Sequence, residues 1–320
     1  MSTLSQQAGQ VVILGIYVTD LTFRAERMPL IGETIAGSAF AMGPGGKGSN
    51  QAVAAARAGA KVVFCTRIGN DAFGSIARST WAAEGITARA TTVDGVSTGA
   101  AHIFVDETNG KNAIIVASGA AGTMNAGDVD AIEADIRAAK VFVTQLEQPL
   151  AAARRGLEVA RRHGVTTVFN PAPAVPLEDD IFPLCDYITP NETEATTLTG
   201  VPIQSVDDAR RAADVLLAKG VGTVIVTLGE AGALLHSASQ SVLVPAFQCG
   251  RVVETAGAGD GFTGGFAAAL ARGADPVDAM RFGCALAGIS VTRPGTAPSM
   301  PTLAEVNEVL RQAGQPVSAR

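Results

Sequence analysis

The strongest constraint on the fold is an alternation of short apolar runs with longer helical segments. Runs at 140–145, 165–170, 186–189, 222–228 and 233–236 read as strands. Segments at 126–138, 150–163, 192–199, 207–219, 259–272, 276–293 and 302–312 read as helices. Strands interleaved with helices predict a mostly parallel sheet covered on both faces. Ahead of this rhythm, 11–14 reads as a buried parallel strand and 47–59 as a helix closed by Gly59. Next come a strand at 61–66 and a helix at 71–84 with Asp71 as its N-cap.

Two stretches stand outside the rhythm. Residues 16–44 hold Pro29, Gly32, Gly37, Gly43 and Pro44, which suits short strands and not helix. Residues 99–105 and 112–117 read as a hairpin turning at Asn109-Gly110. Together they predict a small second sheet built from two insertions. Hydrophobic residues at 47% and charged residues at 17% rule out disorder for most of the chain.

A net charge of −6 argues against a sequence-independent nucleic-acid binder, which needs a basic face. Cys65, Cys185, Cys249 and Cys284 form no CxxC pair, and His102, His163 and His236 do not cluster, so neither a zinc site nor a disulfide framework is expected. No uncharged apolar run of about 20 residues predicts a membrane span. The opening MSTLSQQAGQ lacks the features of a secretory leader, so a reducing, cytoplasmic setting is expected.

The strongest chemical signal is the run from Thr255 to Leu270, in which a glycine-rich turn feeds an apolar helix. Converging N–H groups and the helix N-terminus suit an anion. Asp260 at that mouth is either an N-cap or a base that accepts a proton from an attacking hydroxyl. Gly43 to Asn50 superficially resembles a P-loop, but Gly48 follows Lys47 where Ser or Thr is required. It reads either as a turn before a helix or as a close backbone approach to a polyol, with Lys47 and Asn50 as donors. No GxGxxG follows the first strand, so a dinucleotide site is unsupported. Asn191 to Glu194 reads as helix capping or as a magnesium-binding pair. Glu147 follows a strand, Asp20 lies just after the first strand, and Thr227 to Gly232 is a second glycine turn fit to line a nucleotide. Met280, Phe282 and Met300 look like core, and the histidines like surface or satisfied core.

Taken in order, Gly45 to Asn50 followed by QAVAAARAGA, Gln145 to Glu147, Asn170 to Ala174, Thr189 to Glu194, and Gly257 to Asp260 with Phe262 resemble the ribokinase family of sugar kinases, the phosphofructokinase-B type, over residues 11 to about 310. The resemblance implies a three-layer α/β sandwich with a mostly parallel central sheet and a small β-sheet lid. The implied division is a core of 10–15, 45–96 and 118–313, a lid of 16–44 and 97–117, and flexible termini at 1–9 and 314–320. It also implies a homodimer through the lid. The implied reaction moves the γ-phosphoryl group of ATP to a primary hydroxyl of a pentose, D-ribose giving ribose 5-phosphate. A deoxypentose, another sugar or a nucleoside is the alternative, and a silent sugar-binding regulator is the reading from another class.

By the same resemblance, Asp260 matches the general base, and Gly257, Ala258 and Gly259 match an anion hole. Asp20, Gly46, Lys47, Gly48, Asn50 and Glu147 match sugar contacts. Asn191, Thr227, Gly229, Gly232, Gly259 and Cys284 match the nucleotide site, with Glu194 near magnesium. Glu254, Ala256, Ser290, Arg293, Gly295 and Ser299 match a potassium site. Three positions depart from the family pattern: Val18 stands where Asn is usual, Glu254-Thr255 where Asp-Thr is usual, and Gly261 where Thr or Ala follows the base. Valine cannot hydrogen-bond a hydroxyl, which raises 2-deoxyribose as a substrate. The longer Glu254 carboxylate bears on the potassium site.

Overall fold

The computed structural model describes residues 9–316. Of the termini expected to be flexible, 1–9 and 314–320, residues 1–8 and 317–320 lie outside the described residues. Gly9 already belongs to the fold, because Lys61 N–H donates to its carbonyl. At the other end, Gln315 N–H donates back to Leu310 O.

Among the described residues, the larger sheet has nine strands. In it β1 (Gln10–Leu14) is flanked by β4 (Lys61–Gly69) and β8 (Val141–Thr144), both parallel to it. Beyond β4 lies β5 (Thr87–Val93). Beyond β8 follow β9 (Thr166–Phe169), β10 (Tyr187–Ile188) and β11 (Thr223–Thr227), all parallel. β12 (Ala233–Ser237) and β13 (Ser241–Val244) then turn antiparallel and end the sheet. Strands β5 and β13 have no counterpart in the sequence reading. Both are edge strands with half their side chains in solvent, so neither carries the apolar run that marks a central parallel strand.

β1 shows why the sheet is sandwiched. Val11 and Ile13 join one apolar cluster and Val12 and Leu14 the other. The period of two sends successive side chains to opposite faces. On one face pack α1 (Lys47–Arg57), α2 (Ala72–Ala83), α8 (Ala258–Ala271), α9 (Pro276–Ser290) and α10 (Leu303–Gln312). On the other pack α3 (Ala126–Ala131), α4 (Glu133–Ala138), α5 (Leu150–Arg162), α6 (Glu192–Thr199) and α7 (Val206–Ala218). The single helix expected over 126–138 is broken at Ile132, and α9 stops at Ser290, short of the expected 293. Asp71 caps α2 as expected, accepting from Gly74 N–H at 2.8 Å.

The smaller sheet has the order β3 (Ala39–Gly45), β2 (Val18–Ala25), β6 (Thr98–Asp106), β7 (Asn112–Gly119). β3 and β7 run one and two residues past the limits expected for the two insertions. Both insertions do contribute strands to one sheet, although they are more than fifty residues apart in the chain. Val18 is buried here and packs with Ile16, Ala101 and Ala121.

Candidate active site

Strand ends build the site. β8 runs into Gln145-Leu146-Glu147, β9 into Asn170, β10 into Thr189 and β11 into Thr227. These carboxyl ends are where open α/β sheets bind ligands. The N-terminus of α8 faces them. A cavity of about 140 Å³ lies between, lined by Lys47, Asn170, Ala172, Thr189 and Asn191, and by Glu194, Thr227, Gly257, Gly259 and Asp260.

Gly257 caps α8 in the left-handed region at φ 78°, which a side chain disfavours. The cap is therefore Gly257 and not Asp260, which corrects one of the two sequence readings. Asp260 sits in the first turn, buried, with both carboxylate oxygens engaged. Asn50 Nδ2 donates to Oδ2 at 3.0 Å and Gln51 Nε2 to Oδ1 at 3.2 Å. Burial holds the Asp260 carboxyl above its ordinary range, opposed by Lys47 and these two amides. The Asp260 charge in turn raises Lys47. Of the three N–H groups expected in an anion hole, that of Ala258 closes a turn onto Thr255 O at 3.2 Å. Gly257 and Gly259 line the cavity.

Gly46 caps α1 at φ 87° and presents Lys47 N–H to Glu147 Oε2 at 2.7 Å. Gly48 lies against Gly15, where a Cβ would fall 2.7 Å from the Gly15 Cα. Asp20, from the smaller sheet, folds over Gly45, where a Cβ would meet the Asp20 carboxylate at 2.1 Å. Thr296 Oγ1 donates to Asp20 Oδ2 at 3.4 Å and to Pro44 O at 3.1 Å. Burial pushes Asp20 up to about 6 and Glu147 up to about 7, with Asp260 adding to each. Asn50 Oδ1 is buried and has no hydrogen-bond partner among the described residues.

Asn191 and Glu194 make the expected capping box, with Glu194 N–H donating to Asn191 Oδ1 at 2.8 Å and Asn191 N–H to Glu194 Oε2 at 2.9 Å. They also line the cavity, so the two sequence readings are compatible. Burial raises Glu194. Asn191 bridges to Thr227 as a one-residue ladder. Gly229 opens a short turn, and Gly232 at φ 102° leaves no room for a Cβ against Val244 O. Neither glycine lines the cavity, and Cys284 is packed into the core through α9.

Glu254 and the 290–299 segment converge beside the α8 cap. Gly295 N–H donates to Glu254 Oε2 at 2.9 Å, and Glu254 N–H donates to Val291 O at 3.2 Å. The Ser290 and Ser299 hydroxyls donate to Ala287 O and Thr296 O, while the Arg293 guanidinium pairs with Glu305. Among the described residues, no group of three or more His, Cys, Asp or Glu side chains is placed to hold a metal ion. Among them also, no helix is long and apolar enough to cross a membrane.

Residues 8–303 match the profile of the pfkB family carbohydrate kinases. The chain belongs to this family. It is a sugar kinase, as the ordered motifs implied. A Haemophilus influenzae ribokinase is 40% identical over 304 residues, covering 95% of this chain and 99% of its own. A Salmonella typhi deoxyribokinase is 38% identical over 302 residues, covering 94% and 98%. Among solved structures, an Arabidopsis thaliana ribokinase complexed with ribose and ATP superposes with a TM-score of 0.88 at 29% identity, over 95% of this chain and 99% of that one. The sequence reading gave no role to Gln51, Gln145, Asn170 or Thr296, and quoted the first three only within motifs. The one available signal at Gln51 was polarity combined with position, since it stands at the start of the small apolar run 52–56 on α1.

Proposed function

We propose that this kinase transfers the γ-phosphoryl group of ATP to the primary hydroxyl of a pentose, D-ribose giving ribose 5-phosphate. The observation that carries this reading is the buried Asp260 carboxylate at the glycine-capped N-terminus of α8, beside Lys47. Asp260 takes the hydroxyl proton. The freed oxygen bonds the γ-phosphorus as the bond to the β–γ bridging oxygen breaks, and that electron pair leaves on ADP. The N–H groups of Gly257 and Gly259, with Lys47, balance charge on the phosphoryl oxygens. Asp20, Asn50 and Glu147 orient the sugar, and Asn191 and Thr227 take the nucleotide.

One carboxylate beside a cavity with room for water suits magnesium, which keeps several waters and takes few protein ligands. Glu194 would hold it, and the ion would neutralise phosphate charge. The oxygen-rich convergence of Glu254 with Ala256, Ser290, Arg293, Gly295 and Ser299 suits a potassium ion, with Arg293 offering its carbonyl. The smaller sheet is proposed as the lid over the sugar. Its exposed Phe23, Phe40, Met42, Ile114, Ile115 and Val116 support a homodimer formed through it.

One observation favours a second substrate. Val18 sits in an apolar cluster and offers a hydroxyl nothing, which suits 2-deoxyribose. The deciding experiment measures ADP release with D-ribose and 2-deoxy-D-ribose in parallel, for the native protein and Asp260→Asn. Turnover by the native protein and loss of about 10²- to 10⁴-fold in Asp260→Asn with sugar binding kept are expected. Unchanged turnover in that variant would sink the assigned base.

A further inference from the structure

We propose that Gln51 is a positioning residue that holds the Asp260 carboxylate at the angle needed to receive the sugar proton. The proposal rests on Asp260 being the base. Gln51 is fully buried and joins four elements through its amide alone. Nε2 donates to Asp260 Oδ1 at 3.2 Å and to Asn170 Oδ1 at 3.1 Å, while Oε1 accepts from Gln145 Nε2.

Hydrogen-bond logic allows only one orientation of this amide. The Thr189 carbonyl can only accept, so the Asn170 amide nitrogen must face it, and does so at 2.9 Å. Asn170 therefore turns its oxygen to Gln51. Gln51 must answer with its nitrogen, and the second hydrogen on that nitrogen reaches Asp260. A flipped Gln51 would set its oxygen against two other oxygens. The Gln145 amide clamps the far end, so the donor cannot swing away. The direction of the chain, from Gln145 through Gln51 to Asp260, follows from a single backbone carbonyl on β10's end.

This arrangement has a chemical consequence. Asn50 covers Oδ2 and Gln51 covers Oδ1, so each oxygen keeps only its remaining lone-pair direction for the incoming proton. Loss of the Gln51 donor frees the carboxylate to rotate, and a misplacement of about 1 Å at a reacting centre costs on the order of 10²-fold in rate. It also removes a bond that favours the ionised form of Asp260. The other charged groups facing Asp260 are Lys47 from α1, Asp20 from β2, Glu147 after β8 and Glu194 from α6, and all remain in the variant.

The test is Gln51→Met, which keeps volume and removes both polar ends, assayed with Asp260→Asn and the double variant. Expected for Gln51→Met are a kcat lowered about 10- to 100-fold, a sugar KM and nucleotide affinity within about threefold of native, and an acid limb of kcat/KM moved to higher pH. In the Asp260→Asn background the same change should cost little more. Native kcat and an unmoved acid limb in a folded Gln51→Met that binds both substrates overturn the proposal. So does an equal loss in both backgrounds, which marks a structural role. If Gln51→Met fails to fold, the isosteric Gln51→Glu is read on the same axes, and native kcat there overturns the proposal equally. An active Asp260→Asn would instead refute the base assignment itself, which separates the two failures.

Discussion

Asn50 Nδ2 donates to Asp260 Oδ2 at 3.0 Å, joining the first turn of α1 to the first turn of α8 across 210 positions of sequence. The contact exists because the two helices approach closely. Gly264 makes that approach possible, since a Cβ there would fall 2.5 Å from Gln51 O and 2.7 Å from the Ala54 Cβ.

Gly264→Ala is therefore expected to push α8 from α1 and to destabilise the protein by about 1–3 kcal/mol, the usual cost of overpacking a filled core. Urea unfolding reads the stability. Turnover should fall as well, because the shift moves Asp260 away from Asn50. Native stability in this variant would mean that the helices slide without cost.

Raised carboxyl pKa values make the free enzyme's stability pH-dependent. Glu147, at about 7, and Asp20, at about 6, both hold protons more tightly folded than unfolded, so the folded state binds more protons. Their contribution is present below the ordinary carboxylate range near 4 and is lost as pH rises through about 6 to 7. Glu147→Gln should flatten the decline in thermal midpoint between pH 5 and 7. An unchanged slope would count against a buried, protonatable Glu147.

Sugar affinity should respond in the opposite sense. The ionised carboxylates accept hydrogens from hydroxyls, so binding of ribose measured by calorimetry should weaken as pH falls from 8 to 5. A flat profile would remove Asp20 and Glu147 from the sugar site.

Val18→Asn places an amide within the cluster of Ile16, Ala101 and Ala121. The ratio of kcat/KM for ribose over 2-deoxyribose should rise roughly 10- to 100-fold, as expected when one buried hydroxyl gains a partner. An unmoved ratio would show that position 18 does not face the discriminating hydroxyl.

Phe40→Asp charges the exposed face of the smaller sheet, where Phe23 and Phe40 rings lie 5.0 Å apart. Sedimentation should show monomer for the variant and dimer for the native protein. A monomeric native protein would end the dimer proposal.

Much of the fold was legible because parallel strands buried on both faces read as continuous apolar runs, as at Val11–Leu14 and Thr223–Thr227. The edge strands Thr87–Val93 and Ser241–Val244 were not, since they are half solvated and resemble loops in composition. In the site, Asp260, Lys47 and Asn50 announced themselves through glycine turns beside charged or amide side chains. Gln51 and Thr296 carried no such local mark, because their partners lie 209 and 276 residues away.

By itself the sequence determined what short-range physics decides: the helix start at Lys47 after a glycine-rich turn, the capping box at Asn191 and Glu194, and the two-sided burial of β1. Only the tertiary structure decided which buried polar groups meet. It paired Gln51 with Asp260, set Glu147 beneath the Lys47 N–H, and brought Asp20 over from the second sheet to Thr296. The reason is physical. A cap or an apolar period is satisfied within a few residues, whereas desolvation and the pairing of buried hydrogen bonds depend on every element that closes around a group.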